Sequence, residues 1–343
     1  MKRISRDPQR FDLIEILDEY ARSRGLDIRD PSGDEAFLRH LGSQIEANRR
    51  SDILLYGLRA QTMFAFVAAA LGACRAIKEE DTGNLYVDNP ELRAPDFRII
   101  MLDGREFLAE VKNCHTADPQ RDLRFTRAYL DGLKAYAALF QTELFIAIYW
   151  SPPKLWTLLS ADDFELRDQE YILPLLRAMK LDKMHILGDR LIGTVPSLTL
   201  KLVADPNESR AIDATGHVTF KIGQAELYCG DQLIEDDIEK EIAWFLMNYG
   251  NWGSRKLPAE IVDGKLVSMG FRVTPEERAN PDEDFEIVGR LSEMISRQFN
   301  ELTAPGGAVK HLSPERDPDT LGVVVPLDYR GTALPLWRFT IHP

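Results

Sequence analysis

Apolar residues recur every three to four positions over residues 8–24 (Phe11, Leu13, Ile14, Ile16, Leu17, Tyr20) and again over 34–49 (Phe37, Leu38, Leu41, Ile45). This period predicts two amphipathic helices, the first ended by Gly25. A third helix, over about Ser51 to Leu71 and ended by Gly72, is apolar around most of its circumference after Met63, so it is expected against a sheet. Tyr86-Val87 suggests a short strand. From Pro95 to Lys112 the period changes, and two runs rich in Ile, Phe, Leu and Val meet at Asp103-Gly104, a strong hairpin signal. Further on, Arg121 to Leu139 reads as a helix, and Leu144 to Trp150 as a strand apolar enough to be covered on both faces. Past Ser151-Pro152-Pro153, Trp156 to Leu159 is extended. A helix over about Asp162 to Met179, interrupted near Pro174, is expected next, then two or three short strands between Ile192 and Val203.

The polar stretch Ala204 to Ser209 marks a boundary. Beyond it Ala211-Ile212, Val218 to Ile222 and Glu226 to Cys229 read as a small meander. Helices follow at about Asp236–Tyr249, Pro258–Met269 and Asp284–Leu302, and terminal strands at Leu321–Val325 and Leu336–Ile341.

The register of the 95–112 hairpin decides what its charges do. A two-residue turn would set Phe97 against Glu110 and Asp96 against Val111, mixing apolar and charged groups on both faces. A three-residue loop, Leu102 to Gly104 with the glycine in the left-handed conformation, instead pairs Met101 with Arg105, Ile99 with Phe107, Phe97 with Ala109 and Asp96 with Glu110. One face becomes largely apolar, so burial selects this register. The other face carries Asp96, Glu110 and, two residues along the strand, Lys112. Carboxylates opposed across a strand pair repel each other, and a cation relieves that repulsion. Their oxygen donors favour a hard ion, Mg²⁺ or Mn²⁺, which polarises a phosphoryl oxygen and acidifies a bound water, while the lysine orients that water or stabilises phosphate charge.

Pro95-Asp96 followed by Glu110-Val111-Lys112 resembles the signature of the PD-(D/E)XK nucleases, the superfamily of many restriction endonucleases and Holliday-junction resolvases. The flanking order, helix, hairpin, helix and buried strand, resembles it too, over about residues 50–160. The tripeptide alone says little, since composition gives about two acidic-x-Lys triplets by chance. Asp263-Gly264-Lys265 is the other one in the chain and has no Pro-Asp strand before it, while Pro-Asp recurs at Pro281-Asp282 and Pro318-Asp319. The resemblance implies a restriction-endonuclease-like mixed β-sheet flanked by helices. It implies Asp96, Glu110 and the Val111 carbonyl as ligands of Mg²⁺ or Mn²⁺, Lys112 beside the scissile phosphate, dimerisation to cut two strands, and a setting in restriction, phage defence or repair. Relatives often carry a glutamate on the preceding helix, where Gln61 stands here. Gln61 offers a carbonyl without charge, which leaves a second metal unsupported. Glu79 and Glu80 read as part of a surface turn.

Weaker substrate contacts are Gln61, His115, the arginines Arg121, Arg124 and Arg127 at helical spacing, and Lys134 on the helix that also holds Tyr129. Solvated arginines paired with Asp118, Asp122 and Asp131 fit that stretch equally well, and Tyr129 reads as core.

Length and charge refine this picture. The 343 residues suffice for more than one domain. The organisation expected is a helical N-terminal extension (1–50), a nuclease-like α/β domain (51–203) and a separate acidic α+β accessory domain (204–343). Net charge is −13, of which residues 161–343 contribute −11, so the nuclease-like part is nearly neutral and compatible with DNA. The acidic part suits a protein or ligand partner better than a winged-helix DNA reader. The two N-terminal helices serve equally as a homodimer interface or as a cap. Three dispersed cysteines, Cys74, Cys114 and Cys229, suggest neither a disulfide framework nor zinc. The longest apolar run, Met63 to Cys74, is short for a bilayer, and a cytoplasmic protein with no membrane association is expected. The reading is an Mg²⁺-dependent endodeoxyribonuclease. Its alternatives are a catalytically silent nuclease fold that binds nucleic acid or a protein, and an RNase.

Overall fold

The computed structural model of the protein describes residues 12–80, 86–87, 91–115, 118, 121–195, 197–275, 283–314 and 322–342. Three helices lead: α1 (Asp12–Arg24), α2 (Asp34–Arg49) and α3 (Asp52–Ala70). Residues 8–11, expected in the first helix, lie outside the described residues, as do Pro281-Asp282, Pro318-Asp319 and Leu321. Tyr20 of α1 packs against Phe37 and His40 of α2. Ser51 caps α3 by accepting from the Leu54 amide. By length and composition α3 could cross a membrane, but Met63, Phe64 and Phe66 to Ala70 are buried inside the fold.

The central sheet follows, with β1 (Cys74–Glu79), β2 (Phe97–Met101), β3 (Glu106–Cys114), then β4 (Asp122–Thr126) outside it, α4 (Arg127–Leu139), β5 (Glu143–Trp150) and β6 (Leu155–Ser160). Its order is β1-β2-β3-β5-β6, with only β3 and β5 parallel, joined by the α4 crossover. The sheet is therefore mixed and flanked by helices. Phe97, Ile99, Phe107, Ala109, Val111, Ala147 and Trp156 face the core shared with α3, while Leu108, Ile146, Ile148 and Leu159 face Leu130 and Leu133 of α4. Burial on both sides explains the unbroken apolar run of β5.

The rest of the chain is richer in strands than its periodicity suggests. It contains β7 (Glu165–Arg167), β8 (Glu170–Pro174), α5 (Leu175–Lys180), β9 (Leu191–Thr194), β10 (Leu198–Ala204), β11 (Ile222–Cys229), β12 (Gln232–Ile234), α6 (Asp237–Tyr249), β13 (Gly253–Lys256), β14 (Glu260–Val262), β15 (Lys265–Thr274), β16 (Glu286–Arg290), α7 (Leu291–Thr303) and β17 (Leu336–Phe339). A six-stranded sheet runs β12-β11-β10-β15-β13 with β14 beside β15, and two small sheets run β16-β9-β17 and β4-β8-β7.

Four expected helices are corrected. The 121–139 segment divides into β4 and α4 because β4 pairs with β8 and Thr126 caps the helix by accepting from the Tyr129 amide. The 162–179 segment becomes the β7–β8 hairpin, turning at Asp168 with φ 55°, before the short α5. The 258–269 segment is the β14–β15 hairpin, turned by Asp263 (φ 50°) and Gly264 (φ 71°). The 284–302 segment starts as β16, held on β9, and turns helical only at Leu291. For β4 and β16 a strand partner remote in sequence overrides the helical period, and for β7 and β14 a hairpin turn does. β1 was not anticipated, and places Glu79 in a strand; Tyr86-Val87 forms none. Ala211 makes only an isolated bridge to Lys265, residues 218–221 form no strand, and no strand forms over 322–325.

Residues 191–203, expected with the nuclease-like part, pair instead with later strands: β9 with β16 and β17, β10 with β11 and β15. One apolar core runs continuously from α3 through the central sheet to α6 and α7.

Candidate active site

The site grows from the turn at Leu102-Asp103-Gly104. Gly104 has φ +89°, its amide donates to the Met101 carbonyl at 3.1 Å, and the Met101 amide donates to the Arg105 carbonyl at 2.8 Å. Asp103 accepts from the Arg105 amide at 3.0 Å and fixes the turn. The register is Phe97 with Ala109 and Ile99 with Phe107, as the burial argument requires. It brings Asp96 beside the C-terminal half of β3. Both carboxylates are buried, Asp96 at 6% exposure and Glu110 at 3%.

Each acid has defined partners. Asp96 Oδ2 accepts from the Val111 amide and Oδ1 from Gln61 Nε2, both at 2.6 Å. Gln61 of α3 therefore reaches the Asp96 carboxylate, as a hydrogen-bond donor. Val111 touches Asp96 through its N–H. Glu110 Oε1 accepts from Lys112 Nζ and from the Tyr129 hydroxyl, and Lys112 Nζ donates to that hydroxyl at 2.7 Å. The ammonium also lies 4.8 Å from the Tyr129 ring centroid. Burial opposes the charge on Lys112, but the Glu110 carboxylate and Tyr129 outweigh it and hold the ammonium above its ordinary pKa. Burial and the Glu110 charge push the Tyr129 phenol up to about 12.

Tyr129 packs against the α4-side core as expected, and its hydroxyl also reaches Glu110 and Lys112. A signal for it existed: in a parallel β-α-β unit the first turn of the crossover helix stands at the carboxyl end of the first strand, where α/β folds place ligands. Glu80, expected in a surface turn, is engaged with Arg98 and Tyr136. Its amide donates to the Asp96 carbonyl at 2.8 Å, and its carboxylate accepts from Arg98 at 2.8 and 3.2 Å and from the Tyr136 hydroxyl at 2.9 Å. Hydrogen bonding to Arg98 holds Glu80 below the ordinary carboxylate range, so it is occupied as a counter-charge.

The weaker candidates do not join the centre. His115 Nδ1 is 2.8 Å from Ser151 Oγ on the exposed surface. The proposed arginine stripe is broken by β4: Arg124 lies on that strand and binds Glu170 and Asp122, Arg127 opens α4 and binds Asp131, and Arg121 precedes the strand. Lys134 pairs with Asp162 and covers the Tyr171 ring. Arg124, Arg127 and Lys134 are thus paired with surface carboxylates.

No protein-family model matches the chain, and no curated protein matches it. Among solved structures, the chain is similar to Hjc, a Holliday junction resolvase from the archaeal hyperthermophile Archaeoglobus fulgidus. That similarity has 18% identity and a TM-score of 0.22, and covers 28% of this chain and 78% of the resolvase.

The donor set suits a hard cation. Asp96 and Glu110 could offer carboxylate oxygens, with no sulfur or imidazole beside them, while Gln61 meets Asp96 through its N–H. Among the described residues no group of three or more His, Cys, Asp or Glu converges.

Proposed function

We propose that the protein is a metal-dependent endonuclease acting on DNA, with Asp96 and Glu110 as metal ligands and Lys112 at the scissile phosphate. The observation that carries this reading is that buried Glu110 pairs with the Lys112 ammonium, while buried Asp96, brought up by the hairpin register, accepts from the amide of Val111, the residue between Glu110 and Lys112. The Lys112 ammonium pairs with Glu110, and a divalent cation held there would draw on carboxylate oxygens of Asp96 and Glu110. When bound, Mg²⁺ or Mn²⁺ would supply Lewis-acid stabilisation of the phosphoryl oxygens and an acidified water.

The chain's own groups do the rest. Lys112, with its pKa raised, stays protonated near neutral pH, so it serves as a fixed positive charge against the phosphate and not as a general base. Tyr129 holds that ammonium by accepting from it, and donates to Glu110. Gln61 and the Val111 amide orient Asp96 so that the acid cannot rotate away.

A silent nuclease fold is the second reading. It is favoured by one observation: Asp96 has both oxygens hydrogen-bonded, and Gln61 stands where an acid would add charge. Supercoiled plasmid incubated with Mg²⁺ or Mn²⁺, against EDTA, separates the two. The enzyme reading expects metal-dependent nicking that Lys112→Ala abolishes; no nicking, or an undiminished variant, supports the silent fold. Labelled RNA and DNA of one sequence in the same assay distinguish an RNase.

A further inference from the structure

The acidic C-terminal part carries a basic row that its net charge conceals. On the face of the six-stranded sheet away from the core, strand register places Tyr228 of β11 beside Thr199 of β10, Thr199 beside Arg272 of β15, and Arg272 beside Arg255 of β13. A groove of about 330 Å³ lies over this row, within the size range of small-molecule sites. Thr199, Lys201, Gly270 and Arg272 line it, with Tyr228 and Asp231 toward one side and Leu257, Pro258 and Glu260 toward the other, while Arg255 stands across from Arg272 beyond the lining. A Cβ on Gly270 would stand 2.5 Å from the Leu200 carbonyl oxygen, so the glycine is required there and no side chain fills the floor above it.

The charges on this face are unequal. Lys201 is matched by Glu260, which also accepts from Ser268, and that group is closed. Arg272 is held only through Nε, which donates to the buried Thr199 hydroxyl at 3.0 Å, leaving the outer edge of its guanidinium without a carboxylate among the described residues. Arg255, exposed and directly across from it, likewise has no carboxylate partner among the described residues. Like charges opposed across a strand pair are destabilising, and two guanidiniums suit a doubly charged anion better than one carboxylate. Tyr228, whose hydroxyl is tied to Glu226 at 2.7 Å, presents a fixed aromatic surface roughly two strand spacings, or about 10 Å, from Arg272.

We propose that this groove binds a nucleotide unit, with the phosphate on Arg272 and Arg255 and the base against Tyr228. Asp231 on the groove wall offers an acceptor for hydroxyl groups. The unit comes either as a free nucleotide or as the end of a single strand. The site is remote in the chain from Asp96 and Glu110 and does not depend on their chemistry.

Isothermal titration of the full chain in EDTA, with AMP, 5′-phosphorylated dT8 and inorganic phosphate as probes, tests this. Saturable binding of AMP or dT8 is expected to weaken roughly tenfold to a hundredfold in Arg272→Gln and in the exposed Arg255→Gln, the range for one charge-assisted contact. Tyr228→Leu is expected to weaken both nucleotide probes and leave inorganic phosphate unchanged. dT8 binding at least about tenfold tighter than AMP identifies a strand end as the source; equal affinities identify a free nucleotide. Absence of saturable binding up to millimolar concentration overturns the proposal, as does wild-type affinity in both Arg255→Gln and Tyr228→Leu.

Discussion

Replacing Lys112 by methionine keeps the length of the side chain and removes its charge, and so asks what the buried carboxylates need. In the folded protein Lys112 Nζ lies 2.5 Å from Glu110 Oε1, with the lysine side chain 30% exposed and the glutamate 4%. Leaving one member of a buried pair uncompensated costs about 3–5 kcal/mol, and the partial exposure of the lysine brings this to roughly 2–3 kcal/mol. For 343 residues the entropy of unfolding is about 0.7 kcal/mol per kelvin, so Tm in EDTA should fall by about 3–4 °C. If Asp96 and Glu110 hold a divalent ion, the variant has lost a competitor for Glu110, and metal takes over the missing positive charge. Thermal unfolding in EDTA and in millimolar Mn²⁺ should then show a larger metal-induced rise in Tm for Lys112→Met than for the wild type. A variant destabilised equally in both buffers, with no metal-dependent shift in either protein, would refute the view that these acids form a cation site.

Three other perturbations probe the same architecture. Asp96→Asn turns an amide NH₂ toward one of the two donors that now face carboxylate oxygens, and it should abolish both plasmid nicking and the metal-induced rise in Tm. Gly104→Ala meets nothing within 4 Å but forces a side chain onto φ +89°, so urea unfolding should show a loss of about 1–2 kcal/mol; no loss would mean the turn is not left-handed. Tyr129, pushed up to about 12 from 10.0, keeps its proton when folded while the unfolded chain loses it. Its contribution is complete below pH 10 and is lost as pH rises toward 12, so Tyr129→Phe should make the alkaline decline in urea midpoint shallower than in the wild type.

The hairpin was legible because a one-residue slip would have exposed Phe97, Ile99 and Phe107, and burial forbids that. β5 and α3 were legible for a similar reason, since a strand or helix covered on all sides announces itself by an unbroken apolar run. β4, β7 and β16 were not. Each is short and owes its conformation to a partner strand, with pairs 5 to 99 residues apart: Phe125 sits across from Tyr171, Leu166 across from Tyr171, and Arg290 across from Leu191. A local period carries no information about such pairings. The same limit hid Tyr129, whose place beside Lys112 depends on α4 beginning at residue 127. Had the helix begun at Arg121, that first turn would have presented different side chains to the strand end.

The boundary at residue 204 separates segments that the packing joins. The Trp156 indole N–H of β6 donates to Ser296 Oγ of α7 at 2.9 Å, and Phe66 of α3 packs on Phe299 of α7. Arg290, at the foot of α7, binds both Asp182 and Asp189, while Asp182 accepts from the Leu158 amide of β6. Asp189 is pushed up by its complete burial, against the pull of Arg290 and of two hydrogen bonds from Ser292, so this clasp is stable only when all its members are assembled. One face of the central sheet is thus covered by α3 together with α7, and the other by α4. Residues after 204 form a wall of the body that holds Asp96 and Glu110, not an appendage to it. Asp96 and Glu110 stand just beyond the last β1–β2 and β2–β3 pairs, Glu79 with Phe97 and Phe97 with Ala109. The six-stranded sheet, built on β10 and continuous with the same core, carries the Arg272 groove on this one body.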